Sequence, residues 1–250
     1  MKRAILCSFL IPAVFAGIGI TQEKKASSYL PGGGVADPAG KIGFFPNKTE
    51  GIDAVDLANG KLIWTSVGGN RPLLATADRL YAQHGDGKEV QVIVINTDTG
   101  KLAVESEPIK LAEWASVKTA YGRSFSSSAK LDGKSLYLSW EARAFYAGGA
   151  RPTPEIEKAA RKEASGVARV NIDNGKVEVL SAEDARKHPV AINMPVNTKV
   201  GELTLAAKVL RSNNAKNPFE QKQILEARNA SNQLVWQYEI KAPIFLPPRP

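Results

Sequence analysis

The residue types that most often carry catalysis are sparse in this chain of 250 residues. It contains one cysteine, Cys7, and two histidines, His84 and His188. A zinc site draws most of its ligands from these residue types, so the composition disfavours zinc. His84 lies in a glycine-rich segment and is expected in an exposed turn. His188 follows a short helical pattern, where it would cap the carboxyl end of a helix.

Two polar segments are similar to calcium loops in composition but not in spacing. Residues 96–100 and 171–175 end on a glycine at the fifth position, whereas a calcium loop has it at the sixth. The twelfth position, which supplies a bidentate Glu in such loops, is Glu107 after the first segment and Ala182 after the second. We therefore expect no calcium at either segment.

Motifs for a nucleophile or a phosphate group are also lacking. Residues 124–128 are rich in serine but contain no Gly-x-Ser-x-Gly turn. The glycines at 32–34 are not followed by Lys-Ser or Lys-Thr, so they do not form a phosphate loop. No motif predicts a catalytic residue, and the sequence weighs against an enzyme while leaving the question open.

An eleven-residue pattern recurs through the chain. Its clear copies are residues 54–64, 94–104 and 169–179, and a degraded copy is residues 226–236. Each clear copy predicts a strand, a tight turn and a second strand. The turn glycines, which supply a positive φ, are Gly60, Gly100 and Gly175. The short acceptors four residues earlier, which would bind turn amides, are Asp56, Asn96 and Asn171.

The fourth copy has Asn232 at the turn position and Trp236 at its end, the same position as Trp64 in the first copy. Asn is the next best residue at positive φ. Between the copies lie further predicted hairpins. They are residues 29–45, 73–83, 125–140 and 197–211. Two hairpins per unit make four strands, and the spacing of 40 residues between Gly60 and Gly100 matches one four-stranded propeller blade.

These units predict an all-β chain with a β-propeller of about four blades, small or incomplete. Residues 29–242 form the propeller, with a helical insertion at 151–165 that begins near Thr153 and Pro154. A second short helix is predicted between Ser181 and Lys187, with Ser181 and Asp184 as a capping pair. Residues 243–250 hold four prolines and are expected to be extended.

The first 16 residues have the pattern of a secretory signal peptide. Lys2 and Arg3 precede an apolar run that ends at small residues, and cleavage is expected near Ala16. A membrane anchor is the alternative, but Pro12 interrupts a stretch that is already short for a membrane span. Residues 17–28 would then be a linker. The expected location is the periplasm or cell envelope of a bacterium, with no stable membrane span after cleavage.

Charge argues against nucleic acid as a partner. Removing Lys2 and Arg3 from the 33 basic residues leaves 31 against 25 acidic residues, a net charge of +6. These charges are spread along the chain, whereas nucleic-acid binders cluster them and interleave aromatic residues. Cleavage would also remove Cys7, so no disulfide is expected in the mature protein.

The segment from Ala54 to Trp64 resembles the repeat of pyrroloquinoline-quinone (PQQ) type β-propellers, which has the outline Ala-x-Asp-x-x-Thr-Gly-Lys-x-x-Trp. The resemblance covers the repeat units and implies that Trp64 and Trp236 pack between neighbouring blades. The family includes quinone-dependent dehydrogenases with seven or eight blades, a calcium ion and commonly a pair of adjacent cysteines. It also includes non-enzymatic members, among them the propeller lipoprotein of the outer-membrane β-barrel assembly machine. Four units without a cysteine pair or a matching catalytic Asp favour the non-enzymatic branch.

The sequence therefore predicts an exported, non-catalytic scaffold that binds a protein or ligand in the cell envelope, without PQQ or calcium. A PQQ- and calcium-dependent dehydrogenase-like enzyme and a fragment of a longer propeller are the alternatives. An open ring of blades would favour a homo-oligomer. Large or charged residues outside the repeats are the candidate binding residues: Trp114, Tyr121, Arg123, Tyr146 and Arg151.

Overall fold

The computed structural model describes most of the chain between residues 27 and 241. The described residues are 27–47, 51–85, 89–112, 114, 121–146, 153–191, 196, 198–211 and 221–241, with the backbone alone at 121–123, 211 and 221. The predicted signal peptide 1–16, nearly all of the linker 17–28 and the tail 243–250 lie outside these residues, as does Arg151.

Eighteen strands form four antiparallel sheets, which follow one another along the chain. Sheet 1 contains β1 Ser28–Leu30, β2 Gly34–Ala36, β3 Ile42–Pro46, β4 Gly51–Asp56 and β5 Leu62–Val67. Sheet 2 contains β6 Arg71–Ala75, β7 Arg79–His84, β8 Glu89–Asn96, β9 Leu102–Glu105 and β10 Ile109–Lys110. Sheet 3 contains β11 Tyr121–Asp132, β12 Ser135–Tyr146, β13 Glu163–Asn171 and β14 Val177–Val179. Sheet 4 contains β15 Lys199–Val200, β16 Leu203–Arg211, β17 Gln221–Arg228 and β18 Leu234–Ile240.

Each sheet is a meander in which consecutive strands pair. The four predicted intervening hairpins are present, with turns close to the predicted positions, and β1 is an additional strand that the repeat did not predict. In sheet 2, β9 and β10 both pair with the long strand β8. The outermost strands β5, β9 and β14 are largely exposed, whereas β2 is fully buried at the inner side of its sheet.

Within residues 153–191, one short helix joins β12 to β13 of sheet 3, and a second leads from sheet 3 to sheet 4. Helix α1 spans Pro154–Ala160, and the Thr153 side chain caps its first turn as predicted. It is shorter than the predicted insertion, because β13 already begins at Glu163 and pairs with β12. Helix α2 spans Ala182–Lys187, with Ser181 as its N-cap and His188 as its C-cap. The Ser181 hydroxyl accepts from the Asp184 amide at 3.1 Å, so the predicted capping pair is formed.

The four sheets pack face to face in the spatial order 4, 1, 2, 3. One core cluster joins sheets 1 and 4, a second joins sheets 1 and 2, and a third joins sheets 2 and 3. The innermost strand β6 contacts β2 and β3 on one side and β11 on the other. Inner strands that meet at a hub while outer strands face solvent are the arrangement of propeller blades. Among the described residues, no core cluster joins sheet 3 to sheet 4.

Tryptophans form the joints on both sides of sheet 1. The Trp236 indole Nε1 donates to the backbone oxygen of Leu57 at 3.2 Å, and its ring lies against Gly60. In the same way, Trp64 Nε1 donates to Thr97 O at 2.7 Å, and its ring lies against Gly100 of sheet 2. Each Trp therefore contacts the turn of the next blade, the role that the resemblance implied.

The joint between sheets 2 and 3 uses other groups, because Val104 replaces the Trp in the second copy. The Glu107 amide donates to Gly175 O at 2.8 Å, and the Glu107 carboxylate accepts from the Val177 amide at 3.1 Å. Glu107 was considered above only as a calcium ligand, and it binds the turn of the next blade instead. In the third copy, Val179 stands at the Trp position and is 60% exposed.

The repeat turns have the predicted conformation. Positive φ values occur at Gly60 (72°), Gly100 (68°), Gly175 (73°) and Asn232 (60°). The side-chain acceptors bind turn amides two residues on: Asp56 to Ala58 at 2.8 Å, Asn96 to Asp98 at 3.0 Å and Asn171 to Asp173 at 2.9 Å. In the fourth copy, Asn229 is the acceptor and binds the Gln233 amide at 2.9 Å.

Alanine at Gly60 is expected to cost more stability than alanine at Gly133, another turn glycine of positive φ. Both changes introduce left-handed strain of about 1 kcal/mol. At Gly60 the added Cβ would also lie 2.8 Å from the Trp236 ring, whereas nothing described lies within 4 Å at Gly133. We expect Gly60→Ala to lower the free energy of unfolding by about 2–3 kcal/mol. Urea unfolding measures both, and equal losses would contradict a tight joint at Gly60.

Candidate ligand-binding site at the propeller hub

A set of polar side chains lies where the inner strands of sheets 1, 2 and 3 meet. We call it the hub cluster, and its members are Tyr29, Asn70, Arg71, Gln83, His84 and Ser127. Arg71 is the first residue of β6 and the Cα partner of Gln83 in β7. Directly paired residues of an antiparallel sheet present their side chains on the same face. Arg71 and Gln83 therefore share one face of sheet 2.

Arg71 is a partly buried cation without a carboxylate partner among the described residues. The group that interacts with it electrostatically is the phenol of Tyr29, in β1. Burial lowers the pKa of the Arg71 guanidinium, and burial raises the pKa of the Tyr29 hydroxyl. Both shifts reflect the cost of placing charge in a poorly hydrated environment. Among the described residues, no anion balances the positive charge of this guanidinium.

The segment before Arg71 is held by β7. The Gly69 amide donates to His84 Nδ1 at 3.3 Å, and the Asn70 amide donates to Gln83 O at 2.8 Å. A neutral His84 ring that accepts at Nδ1 carries its proton on Nε2. His84 is partly buried at the end of β7 rather than fully exposed in a turn, because its ring packs against this segment.

Two further polar groups connect the hub to sheet 3. The Ser127 hydroxyl in β11 donates to Gln83 Oε1, and Gln83 Nε2 donates to Gly85 O at 2.6 Å. Both Gln83 and Ser127 are buried, and these bonds meet their hydrogen-bonding needs. By contrast, the Asn70 Oδ1 atom is buried with no hydrogen-bond partner among the described residues. The hub therefore combines a fixed polar frame with an unpaired guanidinium and an unpaired carboxamide oxygen.

Such a cluster is suited to binding rather than to bond making. A guanidinium offers a planar fork of N–H donors that matches a carboxylate or a phosphate. The phenol of Tyr29 is a further donor, whereas His84 follows Gln83 in β7 and its side chain lies on the other face of that strand. Within the described residues, no group of three or more His, Cys, Asp and Glu side chains could hold a metal ion.

A second polar network lies at the joint between sheets 1 and 4, away from the hub cluster. The carboxylate of Asp53 is 2% exposed, and it accepts hydrogen bonds from Tyr238 Oη at 2.6 Å, Thr65 Oγ1 at 2.8 Å and Asn47 Nδ2 at 3.0 Å. Tyr238 belongs to β18, so this network connects the last sheet to the first. We interpret its role as structural, because all three donors bind the same Asp53 carboxylate.

Stability is expected to fall above pH 10, the ordinary pKa of tyrosine. Burial and the adjacent Asp53 carboxylate raise the pKa of Tyr238, so the folded protein keeps a proton that the unfolded chain loses. Each tyrosine of this kind lowers the free energy of unfolding by about 1.4 kcal/mol per pH unit above pH 10. Urea unfolding between pH 8 and 11 tests this. Above pH 10, the free energy of unfolding of Tyr238→Phe should fall less steeply with pH than that of the wild type, by about 1.4 kcal/mol per pH unit. An unchanged pH dependence would contradict a raised pKa of Tyr238.

The candidate binding residues predicted from the sequence are not gathered at the hub cluster. Trp114 is partly buried and packs against the core cluster that joins sheets 2 and 3. Tyr146 is partly buried at the end of β12, and its Cα partner is Tyr121 at the start of β11. The side chains of Tyr121 and Arg123 and the whole of Arg151 lie outside the described residues. Their role in binding stays a prediction.

His188 has a second contact besides its capping position. Its ring stacks on Tyr137 of β12 at a centroid distance of 4.1 Å and an interplanar angle of 13°. Tyr137 lies on the face of sheet 3 that points away from sheet 2, so α2 covers part of that face. The sequence predicted the cap but gave no signal for this stack, which joins residues 51 positions apart.

The sequence analysis also missed Arg71. Its neighbours in the chain are two glycines, an asparagine and a proline, which are typical of a connection between blades. The one available signal was a cation at the start of a predicted inner strand, where apolar residues are expected. Position alone could not show that no carboxylate would face it.

Comparison with known proteins finds likeness in structure alone. No protein-family model and no curated protein matches the chain. The computationally designed Ika4 protein is 13% identical, with a TM-score of 0.34, over 80% of this chain and 86% of that one.

BamB from Moraxella catarrhalis is 12% identical over 80% of this chain, with a TM-score of 0.31, and the match spans 61% of BamB. A europium-containing methanol dehydrogenase is 12% identical over 86% of this chain, with a TM-score of 0.37, and the match spans 42% of that protein. Similarity at this level is low. The assignment as a propeller therefore rests on the packing of the four sheets.

Proposed function

We propose that this protein is an exported, non-catalytic PQQ-like β-propeller that serves as a binding scaffold for a protein or ligand in the cell envelope. The observation that carries the proposal is Arg71, a partly buried cation at the hub with no carboxylate partner among the described residues. A charge that is partly removed from water and has no partner is costly to a folded protein. Its position at the meeting point of three sheets is explained if a ligand compensates it.

The frame around Arg71 supports binding for a second reason. Gln83 and Ser127 fix the inner strands of sheets 2 and 3 relative to each other through a buried hydrogen bond. A site on rigid strands holds its donors in place before a ligand arrives, which lowers the entropic cost of binding. This rigidity of the strands supports the proposed scaffold role.

Export is part of the proposal and rests on the first 16 residues. It is tested by expressing the full chain in a bacterial host and sequencing the N-terminus of the protein recovered from the envelope fraction. Cleavage near Ala16 is expected. Recovery of an intact N-terminus from the cytosol would overturn export. Among the described residues, none of the helices is long and apolar enough to span a membrane.

The binding function is tested by affinity capture with the mature protein from envelope extracts of its own organism. Three baits are compared: the wild type, Arg71→Gln, and a double variant, Trp114→Ala with Tyr146→Ala, at binding positions predicted from the sequence. A specific protein or small molecule recovered with the wild type, and reduced with either variant, is the expected result. Recovery of the same background from all three baits would contradict a scaffold role. Quinone absorbance in the purified protein, with dehydrogenase activity, would favour the enzyme instead.

A further inference from the structure

We infer that the ligand of the hub cluster carries a carboxylate, which Arg71 binds with its guanidinium while the Tyr29 hydroxyl donates a further hydrogen bond. This inference rests on the proposed binding function and names the chemistry of the ligand. It depends on three features of the described residues: the charge of the cluster, the neighbours of Arg71 and the unpaired polar atoms beside it.

The charge of the cluster favours an anion of charge −1. Arg71 is its one permanent cation among the described residues. A carboxylate balances a single guanidinium. A phosphate monoester carries nearly two negative charges at neutral pH and would remain undercompensated. Charge matching therefore favours a carboxylate over a phosphate monoester.

Tyr29, the group that interacts electrostatically with Arg71, supplies a donor rather than a competing acceptor. The Tyr29 phenol keeps its proton, because burial raises its pKa, so it donates rather than repels an anion. Gln83 is committed to Ser127 and to the backbone of Gly85, so its carboxamide does not bind the guanidinium. The fork of Arg71 is left available for two parallel N–H···O bonds, the strongest geometry for a carboxylate.

Asn70 is a second sign that a partner is missing at this position. Its buried Oδ1 has no hydrogen-bond partner among the described residues. Rotation of the carboxamide by half a turn exchanges Oδ1 and Nδ2 without changing the shape of the side chain. The Nδ2 group of Asn70 can therefore take the place of the unpaired Oδ1 and donate to a bound ligand.

Two sources of a carboxylate share this chemistry. One is a free carboxylic acid in solution, and the other is an acidic side chain or the C-terminus of a partner protein. Both present the same carboxylate group to Arg71, so the experiment has to separate them by probe. Acetate and lactate, which each carry a single negative charge, represent the free acids. A short peptide with two Glu residues, compared with the same peptide carrying Gln and an amidated C-terminus, represents the protein.

The test follows binding by NMR on the mature full-length protein, at constant ionic strength set with sodium chloride. The readouts are the Arg71 Nε–H resonance and the Tyr29 ring signals, with sodium sulfate as the control anion. Saturable shifts with at least one carboxylate probe, and at least tenfold weaker binding to sulfate, are expected. Saturation by acetate or lactate points to a free acid, and saturation by the Glu peptide alone points to a protein partner.

Variants separate the hub cluster from general surface charge. Arg71→Gln should weaken carboxylate binding at least tenfold, since hydrogen bonds to charged groups are the strong ones. Tyr29→Phe should weaken it about threefold, by the loss of one neutral donor. Arg161→Gln is the matched control, because Arg161 is exposed after α1 and lies 3.9 Å from Glu157. Binding by this control should stay within twofold of the wild type.

Several outcomes would overturn the carboxylate assignment. One is the absence of saturable shifts with every probe up to 100 mM. Another is an equal loss of carboxylate affinity in Arg71→Gln and Arg161→Gln. Equal binding of sulfate and carboxylate would assign the site to anions in general and refute the charge-matching argument. If affinity capture still recovers a specific partner equally with wild type and Arg71→Gln, the scaffold function stands and this inference fails. If nothing is captured and no probe binds, both fail.

Discussion

Replacing Asp53 with leucine is expected to lower the free energy of unfolding by about 3–5 kcal/mol, the usual cost of breaking a buried charge network by removing one member. The carboxylate is the common acceptor for Tyr238, Thr65 and Asn47, and it lies at the joint between sheets 1 and 4. Leucine would leave the Tyr238 hydroxyl facing an apolar group. Urea unfolding followed by circular dichroism measures the loss.

Two further variants keep this prediction testable if Asp53→Leu does not fold. Tyr238→Phe removes one hydrogen bond to the carboxylate and should cost about 1.5–3 kcal/mol. Asp98→Leu makes the same chemical change at an exposed turn position, where the cost should stay within about 0.5 kcal/mol. Equal effects of Asp53→Leu and Asp98→Leu would show that the Asp53 network does not stabilise the joint.

Truncating Trp236 to alanine is expected to cost about 3–5 kcal/mol, as large-to-small changes of buried aromatic residues do. Its ring is 7% exposed in the core cluster shared by sheets 4 and 1. The variant also loses the hydrogen bond from Nε1 to Leu57 O and the contact with the Gly60 turn. Because this joint holds the last sheet against the first, we expect sheet 4 to unfold before the rest of the protein.

Hydrogen exchange monitored by mass spectrometry distinguishes this local loss from a uniform one. Peptides from residues 221–241 should exchange faster in Trp236→Ala, while those from β7 and β8 should change less. Leu234→Ala is the control in the same strand, since Leu234 is 48% exposed and its truncation should cost less than about 0.5 kcal/mol. A total loss below about 1 kcal/mol in Trp236→Ala would contradict the role of the Trp as a joint.

The joints explain why the sheets follow the spatial order 4, 1, 2, 3. Two of them use a Trp against the next turn, and the third uses the backbone and side chain of Glu107. The third copy of the repeat has the exposed Val179 at the corresponding position, and no core cluster of the described residues follows it. Self-association through this side of the propeller stays a prediction.

The outward face of sheet 4 combines a charged cluster with exposed apolar residues such as Leu210, which is 52% exposed. Glu226 accepts from Lys208 at 2.7 Å and from Arg228 at 2.8 Å, and these contacts lower the pKa of its carboxyl group. Register places Glu226 on the face opposite Leu225 and Ala227, which pack against sheet 1.

Local patterns allowed most of the fold to be predicted. A positive-φ residue, an acceptor a few positions before it and flanking aliphatic residues define each hairpin within about a dozen residues. The turns at Gly60, Gly100, Gly175 and Asn232 therefore followed from sequence, as did the caps at Thr153 and Ser181. The end of α1 did not, because pairing of β13 with β12 overrides the helical preference of residues 161–164.

The candidate site could not be predicted in the same way. The hub cluster gathers residues from β1, β6, β7 and β11, which are separated by up to 98 positions between Tyr29 and Ser127. No local pattern marks Arg71 as unpaired, since that property depends on which side chains the other sheets bring near it. Residues chosen from sequence for size and charge, such as Trp114 and Tyr146, instead lie against the core or at a strand end.

By itself, the amino-acid sequence determined the hairpins, their number and the alternation that makes each sheet half-buried, because these depend on interactions between near neighbours. The tertiary structure alone decided which sheets touch, that Asp53 joins the first sheet to the last, and that Arg71 stands at the hub without a carboxylate partner from the part of the chain that the structure describes. Burial and pairing of charge are properties of the assembled blades. The desolvation of a group depends on all the atoms that surround it in the folded protein, and not on its position in the sequence.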